Sequence, residues 1–200
     1  MKIFLIISSI VIGAFIIFQI YITMSSNKTE TQQYKIIREE EKFEIRYYPS
    51  ATMAMVSSKL KSYRDLGYSG FGVLAKYIFG GNSVNQQIAM TSPVHMNIGD
   101  SISTMAFVMP ANLKKEDLPK PNNNDVVIKT SEPEYVAAVK FGGFATTTSI
   151  NKQKAILEKA LKDKGITFTG NFRYLGYNPP YQFFGRRNEV IVAVNSNNFN

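Results

Sequence analysis

Residues Phe172–Val194 read FRYLGYNPPYQFFGRRNEVIVAV. Phe172, Tyr174, Leu175 and Tyr177 favour β-structure, and Val190, Ile191, Val192 and Val194 make a compact β-branched run. Between them, Asn178-Pro179-Pro180 must interrupt any ladder, because proline has no N–H to donate. Gly185 permits a turn. The stretch predicts a terminal hairpin with a proline-punctuated loop, and such a hairpin needs earlier strands to pair with.

The preceding residues supply them. Val126–Lys129 and Tyr135–Lys140 read as strands separated by a Glu132-Pro133 turn, and Gly142-Gly143 ends the second. A helix is expected from about Ser149 to Lys164, with Ile150, Ile156, Leu157, Ala160 and Leu161 on its inner stripe. Lys159, Lys162 and Lys164 lie towards its carboxyl end, where the dipole favours cations, and Gly165 closes it. Pro110–Asp125 is a long polar loop and a natural boundary.

Before that boundary the same plan occurs. Tyr34–Ile37, Phe43–Tyr48 and Ala51–Ser57 read as strands. A helix is expected from Tyr63 to Phe79, capped by Ser62 with Asp65 three residues on, and stopped by Gly80-Gly81-Asn82. Asn85–Ile98 reads as loop then strand, and Ser103–Met109 pairs with it. Aligning Ile45-Arg46 with Ile128-Lys129 also brings Ala54 onto Ala137. Each half reads strand, strand, helix, strand, strand. Two such units predict an α+β domain: a pseudo-symmetric antiparallel sheet or distorted barrel with two helices outside.

The amino terminus is different. Ile3–Met24 is almost wholly apolar, and no charge falls between Lys2 and Lys28. At about 1.5 Å per residue this run can cross a bilayer core of about 30 Å. A cleaved secretion signal is the competing reading, which would leave a secreted or periplasmic protein. Tyr21-Ile22-Thr23-Met24 offers no small-residue cleavage site, so an uncleaved single-pass anchor is favoured. Residues 1–24 are read as anchor, 25–33 as linker, 34–195 as the domain and 196–200 as a tail.

Composition narrows the chemistry. There is no cysteine and a single histidine, His95, which excludes thiolate metal sites and multi-histidine centres. The net charge is +8, but basic residues are scattered with no run longer than two. A nucleic-acid binder more often carries a basic stripe, so none is expected as a partner. No paired-carboxylate or phosphate-loop signature occurs, and no catalytic site is expected.

The helix after the third strand is the unusual element. Gly67, Gly70 and Gly72 each cost about 1 kcal/mol against alanine in a helix interior. Leu66, Val73, Leu74, Tyr77 and Ile78 make one apolar face, suited to packing on the sheet. Tyr68, Gly72, Ala75 and Phe79, flanked by Phe71 and Lys76, make a second. Spacing alone favours a strand or a partner chain over this second face. A flat apolar ligand with an anionic rim is the alternative. As metal ligands the chain offers only weak candidates, Tyr47 as a phenolate and His95 as an imidazole, each of which has an ordinary packing role to set against it.

Several motifs together resemble the SOUL haem-binding family over nearly all of Tyr34–Val194. They are Phe43-Glu-Ile-Arg46, Tyr77-Ile-Phe-Gly-Gly-Asn82, Ile88-Ala-Met-Thr-Ser-Pro-Val94, Phe141-Gly-Gly-Phe144, Gly176-Tyr-Asn-Pro-Pro180 and Gly185-Arg-Arg-Asn-Glu189. The resemblance implies a distorted antiparallel β-barrel of two βαββ-type repeats. It also implies non-catalytic binding of haem or a related tetrapyrrole; with the amino-terminal anchor, the expectation is a membrane-tethered binder for transport, buffering or delivery. Two pockets are implied. In one, a histidine directly after the Glu-Ile-Arg motif ligates iron, and Tyr47 stands at that position. In the other, haem lies along the domain's first helix with a basic residue near its propionates, which here implies Tyr68, Phe71, Ala75 and Lys76. Alternatives are a general apolar-ligand or protein-interaction module with haem incidental, or an enzyme built on a ligated haem. Arg186-Arg187 and the aromatics around it read as turn-forming punctuation of the last hairpin.

Overall fold

A computed structural model describes residues 2–195; Met1 and the expected tail, residues 196–200, lie outside the described residues. Helix α1 spans Lys2–Lys28, followed by β1 (Lys35–Glu39), β2 (Glu44–Tyr48), β3 (Thr52–Ser58) and α2 (Tyr63–Ile78). Then come β4 (Val94–Asn97), β5 (Ser103–Val108), β6 (Val127–Thr130), β7 (Glu134–Phe141), α3 (Thr147–Asp163), β8 (Phe168–Gly176) and β9 (Asn188–Val194). The strands form one antiparallel sheet in the order β1-β2-β7-β9-β8-β4-β5-β3-β6. β2-β3-α2-β4-β5 and β6-β7-α3-β8-β9 meet at three places, where β2 pairs with β7, β4 with β8 and β3 with β6. The expected barrel is not closed: β1 pairs only with β2 and β6 only with β3, so the described sheet keeps two free ends.

Local chemistry sets the helix limits. Ser62 Oγ accepts the Asp65 N–H at 3.1 Å, the cap expected for α2. α3 begins ahead of the expected Ser149 because Thr146 and Ser149 cap each other. Thr146 Oγ1 accepts Ser149 N–H, and Ser149 Oγ accepts Thr146 N–H. Serine here takes the place that glutamate or glutamine usually holds in such a box.

Alternation along the strands divides the sheet into two faces. On one, α2 rests on β3, β4 and β5 while α3 rests on β7, β8 and β9. Ile45, Ala54, Val56, Leu66, Leu74, Met105, Phe107, Ala137, Leu157, Leu161, Val190 and Val192 make the core there. The other face holds a smaller cluster of Tyr48, Val136, Ala138, Leu175 and Ile191.

A buried ion pair sits within that smaller cluster. Arg46 on β2 reaches over β7 to Glu189 on β9 in a two-point contact, Nη1–Oε2 2.6 Å and Nη2–Oε1 3.1 Å. Both side chains are fully buried. Arg46 also donates to Glu44 and the Tyr48 hydroxyl. Glu189 further accepts from the Tyr177 hydroxyl at 2.9 Å and from Arg187, whose Nη2 also donates to the Tyr34 hydroxyl. The Arg46 guanidinium lies 4.3 Å from the Tyr34 ring centre, and that of Arg187 4.0 Å from Tyr177. Burial pushes the Glu189 carboxyl up, but hydrogen bonds and charge from Arg46 and Arg187 outweigh it and hold the group below the ordinary carboxylate value.

α1 is long and apolar enough to cross a membrane by length and composition. It continues to Lys28, four residues past the expected end at Met24, because Ser25–Lys28 are polar but compatible with helix and Ser26 finds a partner in Gln182. The expected linker is therefore helical at its start and pinned at its end, where Gln32 N–H donates to Ser92 O and Ser92 N–H to Glu30 O.

Truncating one partner of a buried, hydrogen-bonded pair strands the other's charge. Arg46→Met is expected to lower urea-unfolding stability by about 3–5 kcal/mol. Arg46→Met/Glu189→Leu is expected to lose clearly less than the sum of the two single changes.

Candidate functional site

The two faces of α2 have different surroundings. Leu66, Leu74, Tyr77 and Ile78 are buried on the sheet, as their spacing predicts. Gly70 allows the close approach: a Cβ there would stand 3.3 Å from Met105 and 3.4 Å from Val56. The opposite face is open. Tyr68 is 87% exposed, Phe79 65% and Phe71 41%. Gly72 and Lys76 are exposed between them, and Ala75 is half-buried. A Cβ on Gly72 would meet nothing within 4 Å. Neither a strand nor another helix of the described chain covers this face, which removes the strand, though not the partner chain, from the covers that spacing favoured.

The carboxyl end of α2 is held firmly, which fixes the face in place. Tyr77 donates its hydroxyl to Pro119 O at 3.0 Å. Asn82, buried, donates to Tyr77 O and Gln86 O and accepts Gln86 N–H. Gly81 N–H bonds Lys76 O at 2.8 Å, and a Cβ on Gly81 would fall 2.5 Å from that oxygen. The Tyr77–Asn82 motif thus anchors the helix end beside Lys76. Phe71 is seated edge-on against buried Phe107 of β5, with ring centres 5.1 Å apart. The result is a fixed aromatic shelf with Gly72 as its gap and one lysine at its edge.

The structure brings Tyr68, Phe71, Ala75 and Lys76 together on this face. It does not bring Tyr47 there. Tyr47 lies on β2, between β1 and β7, and its ring packs 5.1 Å from Tyr135, whereas α2 rests on β3, β4 and β5. His95 lies on β4, buried, with Nε2 2.7 Å from Gln32 Oε1. Burial first, and the Arg173 charge second, lower its pKa to about 3. A neutral imidazole already bonded to an amide is a satisfied internal group. Among the described residues no cluster of three His, Cys, Asp or Glu could hold a metal.

The Arg46–Glu189 network was not legible beforehand. Its members lie in the Phe43–Arg46 and Gly185–Glu189 motifs, so motif residues that look like turn punctuation are partners across the sheet. Arg186 bonds the carbonyls of Pro179 and Gln182 and so shapes the β8–β9 loop.

A family model described as SOUL heme-binding protein matches residues 29–193. Heme-binding protein 2 of Mus musculus is 28% identical over 156 residues, covering 74% of this chain and 76% of that protein. Heme-binding protein 1 of Xenopus laevis is 27% identical over 180 residues, covering 84% and 93%. Among solved structures, the EcmrR C-terminal domain superposes with a TM-score of 0.61 at 9% identity, covering 81% of this chain and 98% of that one. At that identity the likeness concerns the fold alone.

Two measurements test this description. His95 is neutral in the fold but takes up a proton in the unfolded chain below about 6.5, so stability is full above that pH and falls as pH drops towards 3. Between pH 6.5 and 5 the loss is expected to be about 1–2 kcal/mol by urea unfolding, and flattened in His95→Gln. Gly72→Ala, filling open space on a helix, is expected to raise stability by about 1 kcal/mol.

Proposed function

The chain belongs to the SOUL haem-binding family, and on that footing we propose that it binds haem or a related tetrapyrrole, without catalysis, against the outer face of α2. We further propose that α1 anchors it in a membrane, so that binding serves transport, buffering or delivery there. The observation that carries the reading is the uncovered aromatic shelf on an otherwise well-packed helix.

The residues present fit such a ligand. From Tyr68 to Phe79 the stripe runs roughly 16 Å along the helix, a length suited to a flat macrocycle. Gly72 lets the ring plane approach the helix, Phe71 and Phe79 offer apolar contact, and Lys76 is placed for a propionate. Apolar burial, at about 25 cal/mol per Å2, supplies most of the affinity, since an exposed Lys–carboxylate contact adds only about 0.2–1 kcal/mol. Neither Tyr47 nor His95 shares this face, so the proposed binding needs no iron bond from either.

That lack of an imidazole on the shelf also favours a second reading, a general apolar-ligand or interaction module with haem incidental. Comparable affinity for unrelated planar or lipidic ligands would support it.

Haemin added to the full chain in nanodiscs is expected to displace the Soret band relative to empty nanodiscs. Phe71→Asp, which places a charge in the apolar contact, is expected to weaken binding by more than about tenfold. Lys76→Glu is expected to weaken it by no more than about fivefold. A spectrum identical to that of empty nanodiscs at micromolar haemin contradicts the proposal.

A further inference from the structure

α1 is uncovered over most of its length, yet one stripe of it is tied to the loop between β8 and β9. Gln19 is only 3% exposed. Its Nε2 donates to Tyr181 O at 3.1 Å, and its Oε1 accepts Phe183 N–H at 2.9 Å. Two turns on, Ser26 Oγ donates to Gln182 Oε1 at 2.8 Å. Below Gln19, the rings of Phe15 and Phe183 meet edge-on with centres 5.8 Å apart. An amide inside an apolar spanning helix needs partners where water is absent. Here a single peptide segment supplies both.

The loop itself is arranged with its polar groups inward. Gln182 is fully buried and bonded to Asn178 and Phe184 O as well as to Ser26. Arg186 is folded onto the carbonyls of Pro179 and Gln182. The outside is aromatic: Tyr181, Phe183, Phe184 and, from the turn after β7, Phe144 are each about half exposed or more. Phe144 packs on Phe183 at 5.5 Å, and the Arg186 guanidinium lies 4.5 Å from the Phe144 ring centre. Aromatic rings with a cation beside them, on a loop whose polar groups point inward, match the chemistry of the membrane–water interface.

We propose that Tyr181–Phe184, with Phe144, form a foot that inserts into the same bilayer α1 crosses, so that the domain sits on the membrane instead of swinging on a tether. This rests on the reading of α1 as a membrane span. Depth follows from the contacts. Gln19 is about five residues, or roughly 8 Å, inward of the apolar run's end at Met24, and Phe15 about nine residues, or roughly 13 Å. The loop bonded to Gln19 therefore reaches the depth of about 5–10 Å that interfacial apolar faces occupy.

The chain contains no tryptophan, so Phe183→Trp introduces a single indole, which can be excited apart from the tyrosines. The full-length variant would be reconstituted into phosphatidylcholine vesicles, with and without bromine on the acyl chains. Phe18→Trp, within α1, serves as the companion variant. The expected result is blue-shifted emission from both indoles, with most of it lost in brominated vesicles. Quenching of the Phe18→Trp indole alone, with solvent-like emission from Phe183→Trp, overturns the foot and leaves the anchor standing. Quenching of neither overturns the anchor, and the foot with it. Gln19→Leu in the Phe183→Trp background is expected to reduce the quenching, and unchanged quenching there contradicts docking of the loop through Gln19.

Discussion

The salt bridge between Arg46 and Glu189 is the contact on which the rest of the domain depends. It is fully buried, and it joins β2 to β9 across the intervening β7. Glu189 also gathers Arg187 and Tyr177, and Arg187 reaches Tyr34 ahead of β1. Four separated stretches are thereby fixed in one register. Two buried charges are costly to desolvate, and a single missing partner leaves that cost uncompensated. The network therefore specifies one arrangement of strands more than it adds stability. It also removes Arg46 and Glu189 from candidacy as ligand contacts, because both are fully buried and bonded to each other.

With the sheet held from one face, α2 can rest on the other and keep its outer side free. Gly70 lets it settle close to Met105 and Val56, and the Tyr77–Asn82 segment clamps its carboxyl end. A helix so anchored presents Tyr68, Phe71 and Phe79 to solvent without support from a lid. Exposed aromatics on a rigid, well-packed element are costly in water, a cost that the proposed planar ligand would offset. The glycine pattern of α2 divides accordingly: Gly70 meets the sheet, whereas Gly72 faces open space.

Much of this was legible from residue patterns. The β-branched run Val190–Val194, the proline-interrupted loop before it and the Ser62 cap all took the expected forms, because each depends on neighbours in sequence. The two faces of α2 were legible for the same reason, helical period being a local property. Whether the chain covers the second face was not, since that depends on the path of its remaining segments. Pairing of Arg46 with Glu189 spans most of the domain and leaves no periodic trace. Closure of the sheet likewise depends on its two end strands, β1 and β6, and they do not pair. Tyr47 and Tyr68 are both exposed or half-buried tyrosines in aromatic company, and only the strand order separates them.

The central claim is that tetrapyrrole binds on the outer face of α2. Paramagnetic broadening by haemin in the NMR spectrum of the full chain tests it most directly, since ferric iron broadens nearby resonances whether or not the protein ligates it. The expected result is selective loss of the Tyr68, Phe71, Ala75 and Lys76 signals, with those of Tyr47 and Tyr135 left sharp. Broadening centred on Tyr47 and Tyr135, with the α2 signals unaffected, would contradict the account.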